Sequence, residues 1–322
     1  MKNNFDLPIY LDRLKVNNFM NLDEAEYDLS GFMVLYKSEE VGKSVIFSVL
    51  EFLSDCFNTG LRNAWNNRKR SNGINFPGSV EGPITIEIRY KESGFPISEY
   101  HLSIIDEGEG PIVLEEWIDT YIRGKSYRIL EFSRGKGKVL HLISEIKPTH
   151  PDAIAASILG QFEEHARISA LRSFISNFLI LYSPESIIDN ITFINENIIN
   201  IMERMIEYHP EVLEEVFSVL RRMVPRFEKA IISNDKVPIL QIKDTSFPEA
   251  IPYRFSSDGT LKLLSYLLVA YDPTPPSLIC IDSPEKFIHP RLFLEILDEF
   301  RKTASRTQVI IHTNPPVQLL YQ

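Results

Sequence analysis

The sequence is poor in cysteine, and it lacks both long apolar runs and an excess of basic residues. Its two cysteines, Cys56 and Cys280, lie too far apart for metal-ligand spacing, and we expect a protein of the reducing cytoplasm. No signal-peptide core is present, and no uncharged run approaches the roughly 20 apolar residues of a membrane span. The formal charge of −10 argues against a protein that coats nucleic acid by charge alone.

Several catalytic patterns are also missing. The seven histidines show no H-x-x-x-H spacing, which makes a zinc site improbable. There is no G-x-S-x-G stretch and no paired Cys/His arrangement for covalent catalysis. What remains is an ordinary globular composition, with 322 residues, 44% hydrophobic and 24% charged, enough to bury a substantial core.

Residue patterns divide the chain into four segments. Short β-prone runs at 10–16 and 32–36, joined by an acidic turn, precede an apolar helix at 44–57. Alternating runs between 82 and 146 predict an antiparallel sheet, and helical spacing from 152 to about 233 predicts a helical lobe. Strands and helices alternate after that. The predicted boundaries are 1–81, 82–150, 151–235 and 236–322.

The first motif follows the strand FMVLY and consists of Gly42, Lys43 and Ser44. In the loop G-x-x-x-x-G-K-[ST], backbone N–H groups surround phosphates, the lysine meets their charge and the hydroxyl holds Mg²⁺. The first glycine of that pattern is replaced by Lys37. Without other support, GKS is more often an ordinary helix start.

Two further motifs lie in the last third of the chain. In FSSDGTLKLL, Ser257 and Gly259 precede an apolar helix, whose N-terminus can bind a phosphate. The simpler alternative is an N-cap by Ser257 or Asp258. In SLICIDSPE, Asp282 ends an apolar strand and could hold a Mg²⁺-bound water, although such an aspartate is more often part of a turn.

The order of these motifs, together with the final TQVIIHTNPP, resembles the SMC/RecF-like branch of the ABC ATPases. The similarity extends to compact bacterial AAA-family ATPases and to the ATPase part of overcoming-lysogenization-type nucleases. It implies an α/β P-loop fold with a mixed or parallel central sheet, an antiparallel β subdomain and a helical lobe. It further implies that ATP and Mg²⁺ are held between head-to-tail protomers. The implied ligand-binding residues are Gly42, Lys43, Ser44, Ser257, Gly259, Asp282 and Asn314, with Ser44 and Asp282 on the metal.

The sequence departs from these relatives at positions that take part in ATP hydrolysis. The glutamate that follows the strand-terminal aspartate in the family is Ser283 here, and losing a general base costs roughly 10²–10⁴-fold in rate. The family's switch histidine is Asn314. Glu285 and His312 are the two possible substitutes for the missing catalytic groups.

The loop before the predicted helix at 44–57 also differs from the phosphate-binding loop of these relatives. It lacks the glycines expected at 37 and 40, and Glu39 and Glu40 would lie near a polyanion. Two unit charges about 5 Å apart repel by roughly 3 kcal/mol at an effective dielectric of 20. The leucine that leads the signature motif is Ser256, a mild change. We therefore predict weakened or absent hydrolysis, with ATP and Mg²⁺ binding itself left open.

The resulting hypothesis is a homodimer, or one half of a heterodimer, that acts as a regulatory or scaffold subunit for a separate effector in anti-phage defence or DNA maintenance. The chain ends at Gln322, so we expect no nuclease domain after the ATPase part. One alternative is a slow but genuine ATPase. The other is a DNA-binding scaffold that uses the segment RNAWNNRKR, which otherwise is a solvated, mobile loop; its basic residues are Arg62, Arg68, Lys69 and Arg70.

Overall fold

The computed structural model describes residues 9–20, 22–36, 45–72, 82–140, 150–182, 198–233 and 238–314. The predicted phosphate-binding residues Gly42, Lys43 and Ser44 lie outside these ranges, as does the rest of the loop from 37 onward. The side chains of Lys69 and Arg70 are also outside the described part. The predictions at these positions are therefore neither supported nor opposed by the fold.

Helices in the described ranges are α1 Val45–Thr59, α2 Leu61–Asn72, α3 Ala155–Leu159, α4 Ala166–Ser176, α5 Ile199–Tyr208, α6 Pro210–Met223, α7 Asp258–Tyr271 and α8 Pro290–Thr303. Short 3-10 turns cover Glu163–His165 and Tyr253–Phe255. None of these helices is both long and apolar enough to cross a bilayer.

The strands in the part of the chain that the structure describes form three sheets. They are β1 Ile9–Phe19, β2 Leu22–Asp28, β3 Phe32–Tyr36, β4 Ile84–Glu92, β5 Ser98–Asp106, β6 Pro111–Ile122, β7 Lys125–Ser133, β8 Lys136–Val139, β9 Phe178–Leu181, β10 Phe227–Ile232, β11 Leu240–Asp244, β12 Ile251–Pro252, β13 Leu278–Asp282 and β14 Gln308–Thr313. Their orders are β2-β1-β4-β5-β6-β7-β8, β10-β11-β12 and β3-β14-β13-β9. The predicted α/β class is confirmed.

The seven-stranded sheet is antiparallel throughout, because each neighbouring pair runs in opposite directions. Alternation explains its inner face: Ile84, Ile86 and Ile88 of β4 are fully buried, while the residues between them are only partly buried. Helix α1 packs its apolar side chains into the same core, where Phe52 lies 5.8 Å from Phe19 between ring centroids.

Three local predictions are wrong. Residues 22–28 are strand β2 rather than a turn, because β2 pairs along β1 from Phe19 to Arg13. Residues 227–232 are strand β10 rather than the end of a helix, since they pair with β11. The segment RNAWNNRKR is helix α2 rather than a mobile loop, because Leu61, Ala64 and Trp65 bury one face of it.

The four-stranded sheet places the strand before the predicted phosphate loop, β3, beside β14. Gln308, at the start of β14, is fully buried. Its side-chain amide exchanges two hydrogen bonds with the backbone of Leu11, both 2.9 Å, and donates a third to the carbonyl of Ser30 at 3.0 Å. This amide ties β14 to β1 and to the turn that precedes β3.

The chain forms two compact units. The first comprises Met1–Leu181, Pro276–Cys280 and Thr307–His312, and the second comprises Tyr182–Pro275, Ile281–Arg306 and Thr313–Gln322. The four predicted segment boundaries stay a prediction.

Candidate functional site

The N-terminus of α7 carries two of the predicted ligand-binding residues. Ser257 has an extended backbone, with φ −73° and ψ 143°, and its Oγ accepts a hydrogen bond from the N–H of Thr260 at 3.2 Å. The same Oγ lies 2.8 Å from the hydroxyl of Thr260. Ser257 is therefore the N-cap of α7, which was the simpler of the two interpretations. A phosphate-binding role for Ser257 stays a prediction.

Gly259 has a packing reason to be glycine. A β-carbon at this position would lie 2.9 Å from the carbonyl oxygen of Phe287, closer than real β-carbons approach a backbone atom. The backbone of the turn that follows β13 thus passes directly over the first turn of α7. A ligand-binding role for Gly259 stays a prediction.

Strand β13 delivers Asp282 to the site. Leu278 to Ile281 are completely buried, and the half-buried Asp282 is the first residue of the strand to reach solvent. Ser283 follows with φ +50°, and Phe287 has φ +66° in the same turn. A non-glycine residue in the left-handed region costs roughly 1–2 kcal/mol, and such strain is concentrated at functional sites.

Glu285 is engaged at both carboxylate oxygens. Its Oε2 accepts a hydrogen bond from the hydroxyl of Thr313 at 2.7 Å, and its Oε1 accepts one from the backbone N–H of Asn314 at 2.9 Å. These two bonds hold the end of β14 against the turn after β13. Asn314, the predicted switch residue, is exposed there.

Lys262, on α7, lies beneath the turn. Its side chain is 7% exposed, and its ammonium donates to the carbonyl of Lys286 at 2.7 Å and to that of Ser283 at 3.5 Å. Burial lowers the pKa of Lys262 to about 8, against the opposing effect of the carboxylates of Glu285 and Asp282.

His312 is 5% exposed and packs edge-on against Phe47 of α1, with ring centroids 6.3 Å apart. This contact favours a packing role, and the catalytic roles proposed for His312 and Glu285 stay predictions.

For a metal ion, the site offers Asp282. Within the described ranges, no group of three or more His, Cys, Asp or Glu side chains is arranged to bind a cation. This donor set fits Mg²⁺ better than zinc, since Mg²⁺ is commonly held by one or two carboxylates together with phosphates and water. The predicted second protein ligand, Ser44, is outside the described residues.

In the described part of the predicted nucleic-acid segment, Arg62 and Arg68 make contacts within the fold. Arg68 is bonded to Asp55 at 2.7 Å and to Glu51 at 3.2 Å, and its guanidinium lies 5.1 Å from the ring centroid of Phe52. Arg62 pairs with Asp152 at 2.8 Å. The nucleic-acid hypothesis stays a prediction, but Arg68 ties α2 to α1 within the fold.

We expect Arg68→Ala to lower the free energy of unfolding by about 1–2 kcal/mol, because it removes two charge-assisted bonds of a side chain that is only 12% exposed. Urea denaturation followed by tryptophan fluorescence measures this change. The matched control is Arg62→Ala, whose side chain is 48% exposed and whose single pair contributes about 0–1 kcal/mol. Equal losses for both variants would contradict the assignment of Arg68.

Sequence reasoning missed Lys262 and Thr313. The signal for Lys262 is a single charged residue inside the apolar run TLKLLSYLLVA, where an ammonium requires buried acceptors. No comparable signal exists for Thr313, because its bond to Glu285 spans 28 residues.

Comparison with known proteins adds the following. Residues 209–313 match a family model described as "AAA domain, putative AbiEii toxin, Type IV TA system". A solved structure of an Smc head bound to the C-terminal winged-helix domain of ScpA is 13% identical, with a TM-score of 0.54 over 97% of this chain and 91% of that chain. An Smc head from Pyrococcus furiosus, solved with an extended coiled coil and the C-terminal domain of ScpA, has the same identity and coverage and a TM-score of 0.48. No curated protein matches the sequence. At this identity, the first structure shows a shared fold.

Proposed function

We propose that this chain, which shares its fold with an Smc head, is an SMC/RecF-like ATPase that binds ATP with Mg²⁺ and hydrolyses it slowly or not at all. Lys43 and Ser44 would contact the triphosphate and the metal, Asp282 would hold a metal-bound water, and the N-terminus of α7 would bind a phosphate across a dimer. When bound, the nucleotide supplies the phosphoanhydride bond and the metal supplies charge neutralisation. Binding and orienting the nucleotide and the metal would depend on this chain's own residues.

One observation supports the slow rate more than any other. The residue after Asp282 is Ser283, and the nearest carboxylate in the turn, that of Glu285, already accepts two hydrogen bonds from Thr313 and Asn314. A serine hydroxyl at its ordinary pKa is a poor general base. A slow ATPase that uses Glu285 would take the proton on a carboxylate that also holds the turn against the end of β14.

A protein that binds nucleotide and retains it is suited to regulated assembly. We therefore propose that the chain acts as a dimerising regulatory or scaffold subunit, either with a second copy or with a related partner, for an effector encoded separately. The Smc head to which it is similar in fold was solved in complex with a domain of ScpA, which is consistent with a head that binds a partner protein. Defence against phage and DNA maintenance are the two settings that we propose for it.

We expect a fluorescent ATP analogue to bind saturably in the presence of Mg²⁺, with Lys43→Ala weakening the affinity at least about tenfold. The physical reason is the loss of a cation that meets phosphate charge where Glu39 and Glu40 already oppose it. Fluorescence anisotropy with and without Mg²⁺ measures the binding.

The matched control for this titration is Lys302→Ala, since Lys302 is 68% exposed and pairs with Glu299 on α8. It should bind as the wild type does. If the wild type shows no saturable binding, the nucleotide site is vestigial and the proposal is wrong.

A further inference from the structure

The turn from Ser283 to Ile288 is attached to two different elements of the second unit. On one side, the ammonium of Lys262 bonds to the carbonyls of Ser283 and Lys286. On the other side, Glu285 bonds to the end of β14. Within the turn, the N–H of Lys286 donates to Ser283 and that of Ile288 donates to Glu285, both at 3.2 Å. The turn is thus held together by its own backbone hydrogen bonds, and it is bonded to α7 on one side and to the end of β14 on the other.

We propose that Lys262 is a positioning residue that couples α7 to the exposed end of β14 through this turn. The path runs from Lys262 to the carbonyls of the turn, then along the turn to Glu285, and then to the hydroxyl of Thr313 and the N–H of Asn314. It joins the helix that carries Ser257 and Gly259 to the residue at the predicted switch position. The consequence for nucleotide binding rests on the proposed function, whereas the coupling itself does not.

A simple packing role would not need this arrangement. Burying an ammonium is costly unless its donors are satisfied, so an apolar side chain would serve packing better. Lys262 instead spans two backbone carbonyls of a turn whose residues Ser283 and Phe287 both have left-handed backbones. Its ammonium also lies 5.9 Å from the ring centroid of Phe287. The close approach of Phe287 to Gly259 provides a second contact between the same two elements.

The strained backbone of the turn requires the hydrogen bonds that Lys262 of α7 donates to it. Left-handed conformations of non-glycine residues persist only where surrounding contacts over-determine them. Removing the ammonium takes one donor from the carbonyl of Lys286 and leaves the carbonyl of Ser283 only its bond from the N–H of Lys286, and the turn can then relax toward ordinary backbone angles. Glu285 would move with the turn, and the hydrogen bond to Asn314 would weaken even though Lys262 does not touch Asn314.

Hydrogen exchange measured by mass spectrometry on the full chain without nucleotide tests the coupling. In Lys262→Met, we expect peptides that contain Thr313 and Asn314, and those that contain the turn, to exchange about five- to tenfold faster, as the loss of one hydrogen bond implies. Lys262→Arg, which restores a cation, should return exchange at Asn314 to within about twofold of the wild type. Lys302→Met, at an exposed position of α8, is the control and should change neither peptide.

Two results would overturn the proposal. One is faster exchange confined to α7 in Lys262→Met, which is what a local packing role predicts. The other is unchanged exchange everywhere. If the methionine variant does not fold, Lys262→Leu, which also removes the donor, replaces it in the same comparison.

A separate arm adds the fluorescent ATP analogue with Mg²⁺. We expect the analogue to slow exchange at Asn314 in the wild type and to lose that effect in Lys262→Met. Absence of analogue binding to the wild type would count against the proposed function, while the nucleotide-free comparison still decides the coupling.

Discussion

Replacing Ser283 by glutamate is expected to raise the rate of ATP hydrolysis by about 10²–10³-fold. The substitution restores a carboxylate directly after Asp282, at the position where the resembling ATPases carry their general base. A positioned base contributes roughly 10²–10⁴-fold to a reaction of this kind. The measurement is phosphate release by the pure protein with ATP and Mg²⁺.

The local backbone can accept this change. Ser283 already has a left-handed φ of +50°, so a glutamate there meets a conformational cost of about 1–2 kcal/mol that the serine bears as well. The carbonyl of Ser283 is bonded to the N–H of Lys286 and approached by the ammonium of Lys262, and neither contact involves the side chain at 283.

Ser283→Gln is the matched control, because glutamine has the size of glutamate and cannot accept a proton at neutral pH. It should hydrolyse ATP no faster than the wild type. An equal gain in both variants would show that the shape of the side chain, rather than its basicity, limits the rate. Rapid phosphate release by the wild type would contradict the whole account of a weakened site.

The sequence predicts the helices and strands that carry the candidate site, but it does not predict the contacts between them. The positions of β3, α1, α7 and β13 follow from apolar runs of strand or helix period, which local patterning determines. The α7 N-cap and the strand-terminal Asp282 are likewise local features. The bond from Glu285 to the end of β14 is not, because it joins residues 28 positions apart through a turn whose shape no short pattern encodes.

Helix α2 and strand β2 show the reverse case, in which tertiary contacts override a polar local sequence. The segment RNAWNNRKR has few apolar residues, but Trp65 is 1% exposed and Arg68 makes two ion pairs with α1. Strand β2 reads as an acidic turn because its outward positions hold Asp23, Glu24 and Glu26. Pairing with β1 then fixes it as a strand.

A β-bulge explains why alternation in the sequence does not predict the buried carboxyl group of Glu116. The register between β5 and β6 shifts between Ser103 and Ile104, so that Glu115 opposes Ser103 while Val113 opposes Ile104. The extra residue reverses the alternation of β6. As a result, Glu116 follows Val113 on the inner face and is completely buried, where strict alternation places it outward.

Glu116→Ala is expected to lower the free energy of unfolding of the first unit by about 3–5 kcal/mol. Glu116 accepts bonds from the N–H groups of Ala155 and Ala156, at 2.6 and 2.9 Å, and from the hydroxyl of Tyr100 at 3.1 Å. It therefore caps α3, whose own N-cap residue, Ile154, makes no side-chain bond. Each buried donor left without a partner costs about 1–3 kcal/mol. Urea denaturation followed by the fluorescence of Trp65 and Trp117, the two tryptophans of the chain, reports on this unit.

The carboxyl group of Glu116 is also expected to make the free energy of unfolding of the first unit depend on pH. Burial raises the pKa of Glu116 from 4.5 to about 7, against the lowering effect of its three hydrogen bonds. Between these values the folded state keeps a proton that the unfolded state has lost, so the contribution of Glu116 to stability is highest below about pH 4.5 and falls as the pH rises toward 7. The difference amounts to roughly 3 kcal/mol. Glu116→Gln cannot titrate, and subtracting its unfolding free energy from that of the wild type at each pH isolates this slope. A difference that grows more stabilising with pH would show that the charged carboxylate is the preferred cap of α3.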